Sequence, residues 1–397
     1  MKDRRADEWL KAGISLSEEV DIANIADDVV IHPGCRISGS TTSIGSGCVI
    51  GKEAPATIEE CQLGRNVELK GGFFSGATFF DGAGMGSGAH VRSGTILEEE
   101  ANGAHTVGLK QTILFPFVTL GSLINFCDIL MAGGTSRRNH SEVGSSYIHF
   151  NYTPHQDKAT ASLVGDVAEG VFLDKAPIFL GGQGGLAGPA RIAYGSVVAA
   201  GGICRQDITE ENQLHIPSVP EAGTKPYPTG VYHEIDRIVR NNLLYIGSIF
   251  ALKEWYRNVR RTFMCRDHFD KACLSGALKN IDLILEERIR RLGDFAQNMK
   301  HSIEWLEQQG TAPEAVLTAQ HLLHNKWGSI EFELKQAGWT EDTGAKEAFL
   351  SVADHLPVGG TYVETIRALE PATREAGRLW LRSIIDGVAG LWSAGSS

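Results

Sequence analysis

The chain has 397 residues, 42% of them hydrophobic and 21% charged, with a formal net charge of -11 and a pI near 5.7. That composition suits a folded protein of two or three domains and excludes wholesale disorder. The acidic balance argues against a general nucleic-acid binder, which needs clustered Lys and Arg, but leaves room for a small anionic ligand in a locally basic pocket.

Residues 1–20 predict a short helical lead-in whose start, MKDRRADEWLKAG, lacks the apolar core of a signal peptide. No apolar run reaches the length of about 18 residues needed to cross a bilayer, so the expectation is a cytoplasmic protein without a membrane span. From 21 to 207 apolar residues recur every six positions. Ile25, Ile31 and Ile37 form one run, Phe73, Phe79, Met85, Val91 and Leu97 a second, Val118, Ile124 and Leu130 a third, and Leu186, Ile192, Val198 and Cys204 a fourth. Neither a helix nor an alternating strand repeats at six. Hexads such as IADDVV, IHPGCR and ISGSTT, in a chain with 46 glycines against 13 prolines, predict a hexapeptide β-solenoid in which three hexads of about 18 residues close one triangular coil. A β-sandwich with frequent turns is the alternative.

Residues 131–162 and 174–185 do not thread as hexads and are expected to be inserted loops at the corners, where solenoids carry binding chemistry. The strings DGAGMGSGAH and GGQGGLAGP read as corners, since neither follows a strand and opens a helix as a dinucleotide site requires. Residues 208–231 form a polar, Pro-bearing linker. An all-α helical bundle is expected over 232–397, from stretches at 232–262, 312–337, 343–356 and 361–394 and from the stripe Ile281, Leu285, Ile289, Leu292, Phe295, Met299, Ile303 and Leu306. It is expected to serve packing or oligomerisation without chemistry. Cys35, Cys48, Cys61, Cys127, Cys204, Cys265 and Cys273 are odd in number and match no zinc spacing, which predicts reduced thiols, mostly in the core.

Arg92 and Lys110 stand one coil of 18 residues apart and should stack at one corner about 4.8 Å apart, either bridged by an anion or as two solvated surface charges pointing apart. Lys158 in NYTPHQDK can add a third cation, and together the three suit a phosphate or diphosphate. His140, His149 and His155 are candidate general bases, and their grouping also raises a zinc site, although spacings of nine and six match no local zinc signature.

The stretch from about 90 to 207 resembles the acetyltransferase domain of the bifunctional N-acetylglucosamine-1-phosphate uridyltransferase/glucosamine-1-phosphate acetyltransferase family. HVRSGTIL resembles that family's Arg-Pro-Gly segment, with Arg92 as the sugar-phosphate-binding arginine, and Lys110 in LKQT is similar to its binding lysine one coil later. Asn151 and Tyr152, followed by Lys158 and LVGD, resemble its acceptor loop. IAYGSVVAAGGICRQDI resembles its last coils, where Ala200 would lie near acetyl-CoA. The resemblance implies a left-handed parallel β-helix, a homotrimer, and acetyl-CoA or another acyl-CoA as cosubstrate.

The sequence departs from the family where its chemistry is centred. Twelve residues after the lysine the family has a catalytic histidine in His-Leu-Ser-Tyr, whereas this chain reads Ser122-Leu123-Ile124-Asn125. The following loop is about six residues longer and contains Arg137, Arg138 and His140, so His140 is the expected replacement base. No stretch of the chain resembles the family's uridyltransferase domain. These features imply an acyl-CoA-dependent N-acyltransferase acting on an amino sugar phosphate or a nucleotide sugar such as a UDP-sugar. The alternatives are a non-catalytic sugar-nucleotide-binding scaffold and a metal-dependent hydratase of the carbonic anhydrase kind, a reaction also built on this solenoid.

Overall fold

The computed structural model describes residues 4–310, 312–336, 342–353 and 360–392. Helix α1 (Arg4–Lys11) precedes a left-handed parallel β-solenoid of about 11 turns. Each coil adds a short strand to three faces. The first face includes Arg36–Ser38, Ala89–Val91, the first halves of Gly108–Leu114 and Asn125–Met131, Ile148–Phe150 and Gly185–Ala187. The second includes Gln62–Leu63, Thr78–Phe79, Ile96–Leu97, the second halves of the same two long strands and Ser162–Val164. The third is a ten-stranded ladder from Val30–Ile31 to Leu214–His215.

The six-residue period supplies one inward side chain per face. Phe79, Met85, Val91 and Leu97 fall in turn on the second, third, first and second faces, all at most 2% exposed. Each such side chain contributes roughly 1.5–3 kcal/mol when fully buried. Phe73 departs from this order, because a one-residue shift reverses every side chain in a strand. It lies outside, stacked on His90 at 5.0 Å, while Phe74 fills the interior.

The strands begin at Ser15–Leu16 and end at Leu214–His215, outside the expected limits of 21 and 207. Within the expected loops, Glu142–Val143, Ile148–Phe150, Phe179–Leu180 and Gly185–Ala187 return to the coils. Val143, Tyr147 and Leu180 fill the interior there, but polar flanks break the hexad pattern around them. The excursions proper are a hairpin of Gly134–Ser136 with Asn139–His140, residues 151–161, and residues 165–178 with helix α2 (Val167–Gly170).

After the linker come α3 (Ile235–Trp255), a π turn at Tyr256–Arg260, α4 (Arg261–Phe263), α5 (His268–Gln309), α6 (Glu314–Lys335), α7 (Thr343–Ala353), α8 (Tyr362–Arg367) and α9 (Pro371–Ala389). The expected helical positions at 337, 354–356 and 393–397, and lead-in residues 1–3, lie outside the described residues. The Asp267 side chain caps α5 by accepting the Asp270 N–H, Gly310 ends the helix at φ 64°, and the stripe from Ile281 to Leu306 is buried. All seven cysteines are free, and all but Cys265 are buried.

The helices lie along the solenoid's second face. Helix α5 crosses Ser43–Ile44, Gln62–Leu63 and Thr78–Phe79 so closely that a Cβ on Gly276 would sit 1.9 Å from Gln62 Oε1. Asn280 accepts the Gly94 N–H at 2.9 Å and donates to Thr78 Oγ1 at 3.1 Å. Farther along, fully buried Arg260 pairs with Glu98 and Glu99, and Tyr256 Oη donates to Glu98 at 2.6 Å. Burial pushes the Glu98 carboxyl up to about 7 against the pull of Arg260. One face of the prism is thus covered by the chain's own helices.

Candidate functional site

The first and second faces meet along an edge that gathers positive charge. The Arg92 N–H donates to Leu109 O at 2.9 Å, which fixes Arg92 and Lys110 on adjacent coils, and Lys110 pairs in register with Cys127 one coil later. Lys158 joins them from the 151–161 excursion at the same edge. Burial, and then the negative charge of Asp128, raise the Cys127 thiol, while Arg92, Lys110 and Lys158 all pull it down, so all three cations lie within electrostatic reach of one thiol that is 8% exposed. None of the three makes an ion pair among the described residues. Like charges at strand spacing repel by about 1 kcal/mol even in water, and an anion held between them reverses the sign.

Asn151 stands beside this cluster with Nδ2 donating to Asp128 Oδ2 at 3.0 Å. Tyr152, the next residue, is 71% exposed.

The three loop histidines are engaged with other partners. His149 is inside the solenoid at 2% exposure, its Nδ1 2.5 Å from Cys127 O and its Nε2 2.8 Å from Ser162 Oγ. Desolvation lowers its pKa, and with both nitrogens occupied it serves packing. The His155 Nδ1 accepts the Gly230 N–H at 2.9 Å, and its ring packs on Tyr227 and Tyr232, which pins the linker to the loop. His140 sits on the excursion hairpin at the second edge, between the second and third faces, so the expected base is not brought to the three cations within one chain. The described residues contain no group of three His, Cys, Asp or Glu able to hold a metal ion.

The third edge, between the third and first faces, holds a pair that the sequence reading missed. Ser122 Oγ lies 2.8 Å from Nδ1 of His105, an exposed imidazole one coil below, and the Leu123 N–H donates to His105 O at 3.1 Å. The Ser122 N–H donates to Ser145 Oγ on the next coil. Ala200 is exposed on the same edge, in the turn between Val197–Val198 and Ile203–Cys204. Ladder spacing was the available signal: His105 lies 17 residues before Ser122, a coil one residue short of the 18 used to stack Arg92 and Lys110.

Over 214 residues, 52% of this chain, the sequence is 25% identical to bifunctional protein GlmU of Thermotoga petrophila. It is 28% identical over 185 residues to GlmU of Pelobacter propionicus and 25% over 216 to that of Shouchella clausii. The solenoid resembles GlmU. The matched part is the acetyltransferase-domain region, about half of this chain. No family model matches the chain. Superposition on a UDP-N-acetylglucosamine acyltransferase from Campylobacter jejuni covers 78% of this chain and 94% of that one, at 15% identity and a TM-score of 0.21, and carries no argument here. The chain spans 43% of the length of the Thermotoga GlmU and 36% of the Pelobacter one. No described helix is long and apolar enough to cross a membrane.

The chain has three cations at the first edge and a Ser–His pair at the third. The first face lies between them, presenting Gly108 and the exposed Asn125.

Proposed function

We propose that the chain is an acyl-CoA-dependent N-acyltransferase for an amino sugar phosphate or a nucleotide sugar. The observation that carries this reading is the cluster of Arg92, Lys110 and Lys158 around Cys127, three cations without an acidic partner among the described residues. They bind the phosphate, while Asn151 and Tyr152 border the acceptor. Gly108 to Lys110 spans about 7 Å of extended strand, so the sugar lies across the first face with its amine toward the third edge. Acyl-CoA runs along that edge past Ala200, about 14 Å or three coil steps from Ser122.

An ammonium is not nucleophilic, so transfer needs a base. With Nδ1–H donating to Ser122 Oγ, His105 presents the Nε2 lone pair to solvent and accepts the amine proton. The ammonium first loses one proton to solvent; the neutral amine nitrogen then bonds the thioester carbon as His105 takes its second proton, the C–S bond breaks, and His105 passes that proton to the leaving CoA thiolate. His105 thereby replaces His140 in the role that the sequence suggested. Among the described residues α3 and α5 pack on second-face strands, which supports a homotrimer built through the other two faces.

The test is release of CoA from acetyl-CoA in the presence of glucosamine 1-phosphate or a UDP-linked amino sugar, with one CoA expected per amine consumed. Failure with every acyl-CoA, alongside retained sugar-phosphate binding, would establish the scaffold reading instead. Ser122 at the place of the family histidine is the observation on that side.

A further inference from the structure

The helical region reaches into the cation edge, most deeply through Arg288. Arg288 of α5 is 2% exposed, and its Nη2 lies 3.0 Å from Asp128 Oδ1 and donates to Gln111 Oε1 at 3.0 Å. Its Nη1 donates to the Lys158 carbonyl at 3.3 Å. Gln111 and Asp128 directly follow Lys110 and Cys127, and they turn the corner in the left-handed region at φ 47° and 59°, while Lys158 itself has φ 53°. Asp128 in turn holds the Asn151 amide. A single guanidinium therefore joins the turns beyond two stacked site residues to the backbone of a third and, through a carboxylate, to the side chain of a fourth.

The rest of the 151–160 segment is held from the same side. Asn242 donates to Ala159 O at 3.0 Å, Arg291 to Gln156 O at 3.2 Å, and Tyr232 Oη to Asp157 Oδ2 at 2.7 Å. With Gly230 on His155, the linker, α3 and α5 all contribute to its support. This segment carries Asn151, Tyr152 and Lys158, three of the five residues assigned to the acceptor. The expectation that the helices take no part in the chemistry does not account for these contacts.

We propose that the helical region completes the anion site, with Arg288 as the positioning residue that sets Asn151 and Lys158 against Arg92 and Lys110. This rests on the anion-site reading above. The choice of side chain follows from geometry: a planar guanidinium addresses three acceptors at once, whereas a lysine ammonium at the same depth cannot match the fork. The site would then be orderly only while the helices are docked on the second face.

Removing Arg288 alone strands the buried Asp128 carboxylate and endangers folding. The informative variant is the neutral pair Arg288→Gln with Asp128→Asn in the full chain, which removes both buried charges and keeps amides in their place. Hydrogen exchange read by mass spectrometry should accelerate tenfold or more over 151–160 and stay unchanged over 108–114, about the size of a local opening made easier by one lost anchor. Calorimetry with glucosamine 1-phosphate should show roughly tenfold weaker binding. Adding Lys158→Ala to the pair should then cost less than about twofold, although it costs about tenfold in the parent, whereas Arg92→Ala should keep its full effect. In turnover, KM for the acceptor should rise and KM for acetyl-CoA should not.

Unchanged exchange over 151–160 would overturn the proposal, as would faster exchange with unchanged affinity, or full additivity with Lys158→Ala. If the parent binds no sugar phosphate, it is the functional reading that fails, and the exchange result alone then decides whether Arg288 orders the segment.

Discussion

Two edges of the same prism carry basic excursions, and they treat their charge in opposite ways. At the second edge, Arg137 Nη1 donates to Glu100 O and to Phe117 O, both at 2.9 Å, and Nη2 donates to Thr119 Oγ1, so this guanidinium ties a hairpin to two turns. At the first edge, Arg92, Lys110 and Lys158 all act electrostatically on Cys127 and have no acidic partner among the described residues. In sequence the Arg137-Arg138-His140 excursion looks the richer in chemistry. Occupancy of the donors separates a structural cation from one available to a ligand.

The largest expected effect breaks the comparison if it fails. His105→Ala should lower kcat by roughly a hundredfold or more while leaving sugar-phosphate affinity intact, the usual size of a lost general base. Steady-state kinetics with calorimetry on the same preparation reads both. A His105 variant with parental turnover would move the base away from the third edge.

Next come the cations themselves. Arg92→Ala and Lys110→Ala should each weaken binding of glucosamine 1-phosphate or a UDP-sugar about tenfold without unfolding the chain, since charge-assisted hydrogen bonds to phosphate contribute about 1.5–3 kcal/mol. Both losses should shrink as salt rises, because Arg92 is exposed and its field is screened. Unchanged affinity by calorimetry would return these residues to solvated surface charge.

How much of this was readable in the sequence depends on whether a contact follows the coil. The stack of Arg92 on Lys110 was legible because one coil there has 18 residues, and the solenoid itself because Leu186, Ile192, Val198 and Cys204 keep step with its three faces. The Ser122–His105 pair was hidden by a coil one residue shorter, and the strands at Glu142–Val143 and Phe179–Leu180 by the excursions around them. Arg288 and Gln111 lie 177 residues apart, and no period in either one encodes their meeting. It depends on α5 docking along the second face, a tertiary event set by close approaches such as that at Gly276.

A smaller effect is expected at the second edge, and on stability in place of rate. Arg137→Ala removes donors from two turn carbonyls, one of them on buried Phe117, at a cost of about 1–3 kcal/mol. Urea unfolding should show this as a lower midpoint with an unchanged slope. Binding and turnover measured well below the midpoint should stay parental, because the hairpin's guanidinium faces backbone and no ligand. A loss of sugar-phosphate affinity in this variant would make the two edges alike.

The smallest expected effect, at His140, is the sharpest comparison. Its imidazole is half-buried on the hairpin, with Nδ1 3.3 Å from Ser141 O, a long contact to the neighbouring residue, and Arg137 beside it is committed to the solenoid turns. If the base lies on the third edge, His140→Ala should change turnover by less than about twofold and stability by no more than about 0.5 kcal/mol, the ordinary range for a surface substitution. The measurement belongs beside His105→Ala in one assay, since the two variants remove the same imidazole from different edges. A hundredfold loss at His140 with none at His105 would place the base on the second edge, and the cations would then have to be supplied to it by another copy of the chain.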